Sequence, residues 1–256
     1  MQILHLHHHL WILLFGILGN IASIFVFLAP VSTFIQICRA KSTLDFHSVT
    51  YILTLFSCML WVYYGFIKKN ATLLISINSI GIVMETIYIL IFLVFASNQA
   101  KRHTLLKEYF LCRGGFSLIF LVSWYIFSGV VRVNIVGWIN MAISVAALAS
   151  PINIVLHVLQ TKSVEFLPIY FSFFFTLSEI MWCSYGLLLK DFYIAMPNIF
   201  GFFLGFIQIW LYVIYWRPNS VAPENENVAD HVMDVEMLRM PDQLVQHDMM
   251  WILGEV

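Results

Sequence analysis

The sequence predicts an all-α, polytopic membrane protein in which seven transmembrane helices form two parallel three-helix repeats joined by a linker helix. Hydrophobic residues make up 61% of the 256 residues, charged residues only 11%, and the mean hydropathy is +0.87. A soluble domain would carry about a quarter charged residues. In addition, one long apolar segment recurs 121 positions further along the chain.

Seven apolar runs are each long enough to cross a bilayer as a helix, which takes about 20 residues. In chain order they cover about 10–35, 48–67, 72–95, 115–131, 134–158, 167–189 and 192–215. Short polar segments connect most of them. Only the connection SNQAKRHTLLKEYFLCR (97–113) is long enough to be a linker, and we expect it to be a loop.

The recurring segment reads SCMLWVYYGFIKKN at 57–70 and SEIMWCSYGLLLKD at 178–191. The same spacing matches Pro30 with Pro151, Lys41 with Lys162, Trp61 with Trp182 and Gly65 with Gly186, and a spacing of 120 matches Asn78 with Asn198 and Gly81 with Gly201. Three spans recur with one unmatched span between them, so both triplets enter the membrane from the same side. Parallel halves of this kind suit a transporter whose site lies between them at the midplane.

The repeat divides the chain into five parts. They are an extracellular N-terminal segment (1–9), the first three-helix repeat (10–96), a cytoplasmic loop with the linker helix (97–133), the second repeat (134–216) and a cytoplasmic acidic tail (217–256). The tail has eight acidic and two basic residues, which predicts disorder for most of it.

The positive charges predict the orientation. With the N-terminus outside, nine Lys and Arg residues fall on the cytoplasmic side and four on the outside. The positive-inside rule therefore favours an outer N-terminus and a cytoplasmic C-terminus.

No residue pattern indicates an enzyme or a cofactor. The four cysteines are scattered without CxxC spacing, and nothing near His7, His8 and His9 completes a metal site. A nucleophile–base set and a phosphate-binding loop are also missing from the sequence. We therefore expect no catalysis, no metal, no cofactor and no nucleic-acid partner.

Several segments together resemble the SWEET sugar transporters, the eukaryotic seven-helix branch of the PQ-loop superfamily. They are GILGNIASIFVFLAP, KSTLDF, LWVYYG, SINSIG, the ETIYI segment, TKSVEFLP, YGLLLKDFYIAMPN and GFFLGFIQ. The resemblance covers roughly Gly16 to Tyr215 and is greatest to plant members of the sucrose-moving branch. SWEETs are themselves an example of parallel repeats.

The resemblance implies a central sugar pocket. SWEETs place sugar-contacting residues at positions matched here by four repeat pairs, Ser23 with Ser144, Ser57 with Ser178, Trp61 with Trp182, and Asn78 with Asn198. Neutral hydroxyls and amides suit a sugar's hydroxyl groups, and aromatic rings suit its apolar faces. Ala147 also aligns with a pocket position and is smaller than the residue common in the sucrose branch.

Each residue type has another role in membranes. Serines back-bond to their own helix or allow close packing, tryptophans line the membrane interface, and asparagines bond between helices. The repeat favours the pocket for the two asparagines, because an unpartnered amide in hydrocarbon costs several kcal/mol.

The resemblance also implies two gates. Pro30, Pro151 and Pro168 match three of the family's four gate prolines, and Thr50 stands where the family usually has the fourth. A proline bends a helix, which suits a hinge. Tyr64 and Asp191 match the extracellular gate pair, although an exposed loop end is the other interpretation of Asp191.

Two acidic residues lie inside spans. Glu85 belongs to the ETIYI segment of the family, whereas Glu179 stands where SWEETs usually have a small residue. Buried carboxylates in membranes often mark proton relays. Glu179 lies about 100° around the helix from Ser178, so it need not face the pocket.

These patterns predict a bidirectional facilitative transporter that moves sucrose, glucose or both across the plasma membrane by alternating access. The alternatives are a proton-coupled PQ-loop exporter of amino acids or other solutes, and a seven-helix receptor without transport. A vacuolar or other internal membrane is the alternative location. The resemblance allows a homo- or hetero-oligomer with related chains.

Overall fold

The computed structural model describes residues 2–43, 46–69, 71–164, 167 and 169–216, without the side chains of residues 2–5 and 150. Within these ranges the chain forms ten α-helices and no strand. The helices are α1 (Gln2–Leu28), α2 (Val31–Ala40), α3 (Val49–Lys68), α4 (Thr72–Phe95), α5 (Asn98–Glu108), α6 (Phe116–Ile126), α7 (Gly129–Ala147), α8 (Ala149–Thr161), α9 (Ile169–Leu188) and α10 (Phe192–Tyr215). A π-helical segment, Tyr109–Gly115, joins α5 to α6.

Seven helical units are long and apolar enough to cross a membrane. Three are composite: Leu6–Ala40 contains most of α1 with α2, Asn98–Ile126 contains α5 and α6, and Gly129–Thr161 contains α7 and α8. The other four are the single helices α3, α4, α9 and α10. The predicted all-α, seven-span fold is therefore confirmed, and the chain is a multi-pass membrane protein.

The expectation of a loop at 97–113 was wrong, because α5 and the π-helical segment occupy it. The Ser97 hydroxyl accepts the Ala100 N–H at 3.3 Å and caps α5. The segment TLLKE that follows consists mainly of good helix formers, which favour continuation of the helix. This fourth span ends at Ile126, before the predicted end near 131, and Gly129 starts the next helix with a φ of +55°. The N-terminal segment was also expected to precede the first helix, but α1 already begins at Gln2.

The first span of each half is broken near its proline. Pro30 separates α1 from α2, and Pro151 lies in the first turn of α8, just after the break at Leu148. A proline lacks the N–H that the carbonyl four residues earlier needs, so a helix bends or restarts there. In the first half the Val26 carbonyl accepts from the Ala29 N–H at 3.2 Å, which forms a tight turn.

Four lysines adopt the left-handed conformation just after helix ends, and they form two repeat pairs. The φ angles are 51° and 52° for Lys41 and Lys162, and 72° and 54° for Lys69 and Lys190. Glycine is the usual residue at such caps, but a lysine adds a positive charge beside the partial negative charge of the helix C-terminus. The two halves therefore repeat in backbone conformation as well as in sequence.

The halves contact each other through two pairs of helices that the repeat relates. Helix α1 packs along α9, and α3 packs against α7. The fourth span packs on the first half, where the Ser123 hydroxyl bonds that of Tyr63 at 2.8 Å and the Thr104 hydroxyl bonds that of Ser48 at 2.6 Å. These two hydrogen bonds between hydroxyl groups fix the linker to the first half.

Buried apolar residues form three clusters. One lies within the first half and includes Phe34, Tyr51 and Tyr88, and another lies within the second half around Val158. The third joins the halves near the C-terminal ends of α3 and α9 and includes Trp61, Tyr64, Val136, Trp182, Tyr185 and Ile194. Large apolar side chains such as Leu90 and Val94 are exposed on the outer surface, as contact with lipid requires.

Arg132 closes the junction between the linker and the second half. Its guanidinium donates to the carbonyls of Ser123, Trp124 and Phe127 at 2.9–3.1 Å and lies 4.4 Å from the centre of the Trp124 ring. The carbonyls at the end of α6 have no partner within the helix, and a membrane supplies little water to satisfy them. One arginine therefore satisfies the end of the fourth span.

The close approach of α9 to α10 generates a stability prediction. A Cβ added at Gly186 would lie 2.8 Å from the Ala195 nitrogen and 3.1 Å from its Cα, and backbone atoms cannot move away easily. We expect Gly186→Ala to destabilise the protein by about 1–3 kcal/mol, measured by thermal unfolding in detergent. Gly114→Ala is the control, because its nearest new contact would be an ordinary 3.7 Å. Equal melting temperatures for the two variants would contradict the predicted close packing.

Candidate functional site

A cavity of about 240 Å³ lies between the two halves. Its lining is symmetric in sequence, since all but one of the lining residues belong to nine repeat pairs at spacings of 121 or 120. These pairs are Ser23 and Ser144, Phe27 and Leu148, Thr54 and Phe175, Ser57 and Ser178, Cys58 and Glu179, Trp61 and Trp182, Leu74 and Ile194, Ile77 and Pro197, and Asn78 and Asn198. The cavity therefore lies on the pseudo-twofold axis.

Eight of the nine residues proposed from the sequence to contact the substrate line this cavity, and Ala147 is the exception. Ala147 is exposed at the last position of α7. Leu148, one turn beyond Ser144, lines the cavity instead. Alignment alone could not show this difference, because the helix breaks between the two residues.

The two tryptophans are fixed across the boundary between the halves. The Trp182 indole N–H donates to the Ser23 hydroxyl at 2.9 Å, and the Trp61 indole N–H donates to the Ser144 hydroxyl at 3.1 Å. The repeat relates these two bonds to each other. Both rings are nearly buried, at 6% and 9% exposed, so they are not interface residues facing the lipid head groups.

The serines show one departure from symmetry. Ser23 also shares a hydrogen bond of 2.7 Å with Ser178, whereas no corresponding bond joins Ser144 to Ser57 among the described residues. Packing between helices, the alternative role of these serines, is therefore realised on one side of the cavity. On the other side the Ser57 hydroxyl remains available to a ligand.

The two asparagines adopt matching conformations. The Asn78 amide donates to the Leu74 carbonyl at 2.8 Å, and the Asn198 amide donates to the Ile194 carbonyl. Each bond lies within the residue's own helix, so in the described structure neither side chain bonds to another helix. Each amide keeps its oxygen and a second N–H for a ligand in the cavity.

The predicted outer gate pair is in contact. The Tyr64 hydroxyl donates to both carboxylate oxygens of Asp191, at 3.0 and 2.8 Å, and the Lys68 ammonium lies 2.8 Å from the same carboxylate. Asp191 is 2% exposed and also accepts the N–H groups of Tyr193 and Ile194 at the start of α10. Asp191 is therefore a buried helix cap and not an exposed loop end.

The Tyr64–Asp191 contact lies beyond one end of the cavity. On α3, Tyr64 lies three residues beyond Trp61, which is about 4.5 Å along the helix axis. Thr54 and Phe27 line the opposite end, towards the proline breaks. The structure thus represents a state in which the halves are joined at the Tyr64–Asp191 end.

The proline breaks are braced by two matched side chains that the sequence did not point to. The Tyr88 hydroxyl donates to the Phe27 carbonyl at 2.7 Å, in the last turn of α1. Gln208, which is 120 positions later, donates to the Pro151 carbonyl at 3.3 Å. Each third helix therefore holds the bend of the first helix in its own half.

Thr50 and Pro168 are the two remaining positions that the resemblance assigned to a gate. Thr50 is an exposed residue in the first turn of α3, and its carbonyl accepts the Thr54 hydroxyl at 2.9 Å. Pro168 and the acidic tail (217–256) lie outside the described residues.

Glu179 lines the cavity, although its angle from Ser178 did not require this. The repeat could have indicated that Glu179 lies at the cavity. Glu179 and its match Cys58 each follow a serine of the pair Ser57 and Ser178, and both line the cavity. The same holds for Thr54 and Phe175, which lie one helical turn before the matched serines. Extending the polar helical faces by one turn would have found them.

The buried carboxylate generates a prediction about the gate. Replacing Asp191 by Ala removes an ion pair, a helix cap and the partner of Tyr64, and we expect a loss of about 3 kcal/mol of stability. Tyr64→Phe removes one hydrogen bond, so it should cost about 1 kcal/mol. Thermal unfolding of the two variants in detergent compares them. Equal losses would mean that the ion pair and the cap contribute nothing.

Comparisons with known proteins agree with this architecture. A family model described as a sugar efflux transporter for intercellular exchange matches residues 13–100 and 134–220. The bidirectional sugar transporter N3 of Medicago truncatula is 46% identical over 215 residues, which are 84% of this chain and 80% of that protein. The bidirectional sugar transporter SWEET14 of Arabidopsis thaliana is 45% identical over 239 residues, 91% of this chain and 85% of that one.

The fold also matches a known structure. A solved structure of a eukaryotic SWEET transporter superposes with a TM-score of 0.78 at 34% identity, covering 81% of this chain and 98% of the other. The resemblance to transporters rather than enzymes, and to plant members among them, is thereby confirmed. The chain belongs to the SWEET family.

Proposed function

We propose that this protein is a bidirectional facilitative sugar transporter, a uniporter that moves sucrose, glucose or both by alternating access. One observation carries the proposal: a cavity between two parallel halves, lined by nine repeat pairs and joined by the gate at one end. Most of the polar lining is neutral, which suits hydroxyl groups without the desolvation of a charge. The names of the relatives support a sugar as the substrate.

The symmetry supports alternating access. Four of the nine pairs have the same residue in both halves, and the paired tryptophans and asparagines make matching hydrogen bonds. An opposite state can therefore form by rocking one half against the other. Releasing the Tyr64–Asp191 contact and bending at the braced prolines would open the gate end and close the proline end. The uneven contacts of Ser23 and Ser57 fit a molecule found in one of two states.

One observation favours a second candidate. Glu179 places an ionisable group in the cavity, and such a group in a membrane helix can carry protons. A proton-coupled exporter of amino acids or other solutes would use it in this way. A uniporter instead moves sugar only down its own gradient, and its net flux reverses when that gradient is reversed.

The test is uptake of a panel of radiolabelled sugars by proteoliposomes, with and without a pH gradient. We expect sucrose or glucose flux whose direction follows the sugar gradient and whose steady state ignores the pH gradient. Accumulation of sugar driven by the pH gradient would replace the uniporter by the coupled exporter. No flux of any sugar would contradict the uniporter.

The two asparagines give the matching mutational prediction. Asn78→Ala or Asn198→Ala deletes about 1–2 kcal/mol of neutral hydrogen bonding, enough to weaken sugar binding roughly tenfold, and the double variant should be silent. The measurement is uptake per correctly inserted molecule.

The control for this prediction is Asn20→Ala. Asn20 bonds to the carbonyls of Gly16 and Leu73 and to the Ser76 hydroxyl, and it is not among the residues lining the cavity. This change should reduce the amount of folded protein and leave uptake per molecule unaltered. Near-normal uptake per molecule in the double variant would place the sugar elsewhere.

For the cellular location and the orientation in the membrane, we infer a plasma-membrane protein with an outer N-terminus and a cytoplasmic C-terminus. The charge bias supports this orientation, because nine Lys and Arg residues fall on the cytoplasmic side and four on the outside. Since one chain supplies both walls of the cavity, homo- or hetero-oligomers with related chains would not be needed to complete it.

Protease added to intact cells tests the orientation and the location together. We expect an epitope on the C-terminal tail to stay uncleaved from outside and to be cleaved after permeabilisation. Cleavage without permeabilisation would invert the assignment of both gates. Retention of the protein in the vacuolar membrane during fractionation would favour the internal location.

A further inference from the structure

Glu179 breaks the chemical symmetry of the cavity. It lies on α9 between Ser178 and Trp182, and its repeat match on α3 is Cys58. The eight other pairs that line the cavity contain no charged side chain. The carboxyl group of Glu179 therefore has no counterpart on the opposite wall.

A glycine on the neighbouring helix leaves room for the side chains of both Cys58 and Glu179. A Cβ added at Gly81 would lie 2.7 Å from the Cys58 sulfur, and one added at Gly201 would collide with the carboxyl group of Glu179. Gly81 and Gly201 are themselves a repeat pair. The second half fills this room with a carboxyl group, and the first half fills it with a thiol.

The surrounding protein gives this carboxyl group no partner. Among the described residues it makes no hydrogen bond and no ion pair, and the residues lining the cavity include no lysine, arginine or histidine. Lys68, which lies two turns beyond Trp61 on α3, is paired with Asp191. An unpaired carboxylate inside a membrane protein is costly, so a group that enters the cavity with a positive charge would be stabilised there.

We propose that Glu179 contacts the substrate directly and extends the range of this transporter to amine-bearing sugars. The inference rests on the proposed sugar transport. A sugar ring held near Trp182 and Asn198 would place a substituent beside Glu179, which lies three residues before Trp182 on the same helix. A protonated amine there forms a charge-assisted hydrogen bond, which is roughly twice as strong as the bond that a neutral hydroxyl forms.

The experiment compares glucosamine with glucose near neutral pH in the wild type and in Glu179→Gln. The half-saturation concentrations for exchange in proteoliposomes give a preference ratio. We expect Glu179→Gln to shift this ratio towards glucose by about tenfold, because the amide keeps the shape and loses the charge. N-acetylglucosamine, which lacks the amine's charge, should show no such shift.

Glu85→Gln is the matched control. Glu85 is also a buried glutamate in a membrane span, at 4% exposed, but it is not among the residues lining the cavity. Its replacement should leave the preference ratio at the wild-type value. A shift of the same size in Glu85→Gln would show an indirect effect and overturn the inference.

Binding to the purified protein separates this inference from the proposed function. Quenching of tryptophan fluorescence by glucosamine reports binding whether or not the sugar is carried. If no sugar is carried but glucosamine binds with Glu179-dependent affinity, the transport proposal fails and the contact stands. If sugars are carried with the same preference in wild type and Glu179→Gln, the contact fails and transport stands. Loss of binding for both sugars to the same degree would also overturn the assigned preference.

Discussion

The two tryptophan–serine hydrogen bonds across the boundary between the halves are the contacts on which the rest of the site depends. Trp182 reaches Ser23 and Trp61 reaches Ser144, so each half places its ring on the other half's first helix. In a membrane, an indole N–H without a partner would cost free energy. The two hydrogen bonds therefore hold the halves in register. The cavity, its paired asparagines and the gate beyond the tryptophans all follow from that register.

The bilayer also explains why the helix breaks are so carefully satisfied. Lipid supplies no hydrogen bonds, so a carbonyl freed at a bend needs a partner from the protein. Tyr88 and Gln208 provide donors at the two proline breaks, although their chemistry differs. The repeat therefore keeps a hydrogen-bond donor at both positions, although the residue that supplies it differs. A bend that is supported from a neighbouring helix can act as a hinge without exposing its backbone.

Symmetry gives this molecule two similar walls, and its departures from symmetry lie at the Tyr64–Asp191 contact and at Glu179. The gate is one-sided in its chemistry, because the first half contributes Tyr64 and Lys68 while the second contributes the buried carboxylate of Asp191. The cavity is one-sided as well, because the first half has the Cys58 thiol at the position where the second half has the Glu179 carboxyl group. The linker bonds to the first half through the hydroxyl groups of Ser123 and Thr104, and it bonds to the second half through the Arg132 guanidinium.

The sequence by itself determined the membrane class, the number of spans, the parallel halves and eight of the nineteen residues that line the cavity. Apolar length and a spacing of 121 are local properties of the chain, and matched positions in parallel halves must face one axis. Its failures had local causes too. The segment at 97–113 is polar enough to be read as a loop, but the Ser97 cap and its helix-forming residues make it helical.

Only the tertiary structure could decide which side chains meet across the halves. Ala147, the last residue of α7, is not part of the cavity lining, whereas Glu179 is part of it because Gly201 leaves space for its carboxyl group. Contacts such as Trp182–Ser23 join residues 159 positions apart, and no periodicity along a single helix encodes that encounter.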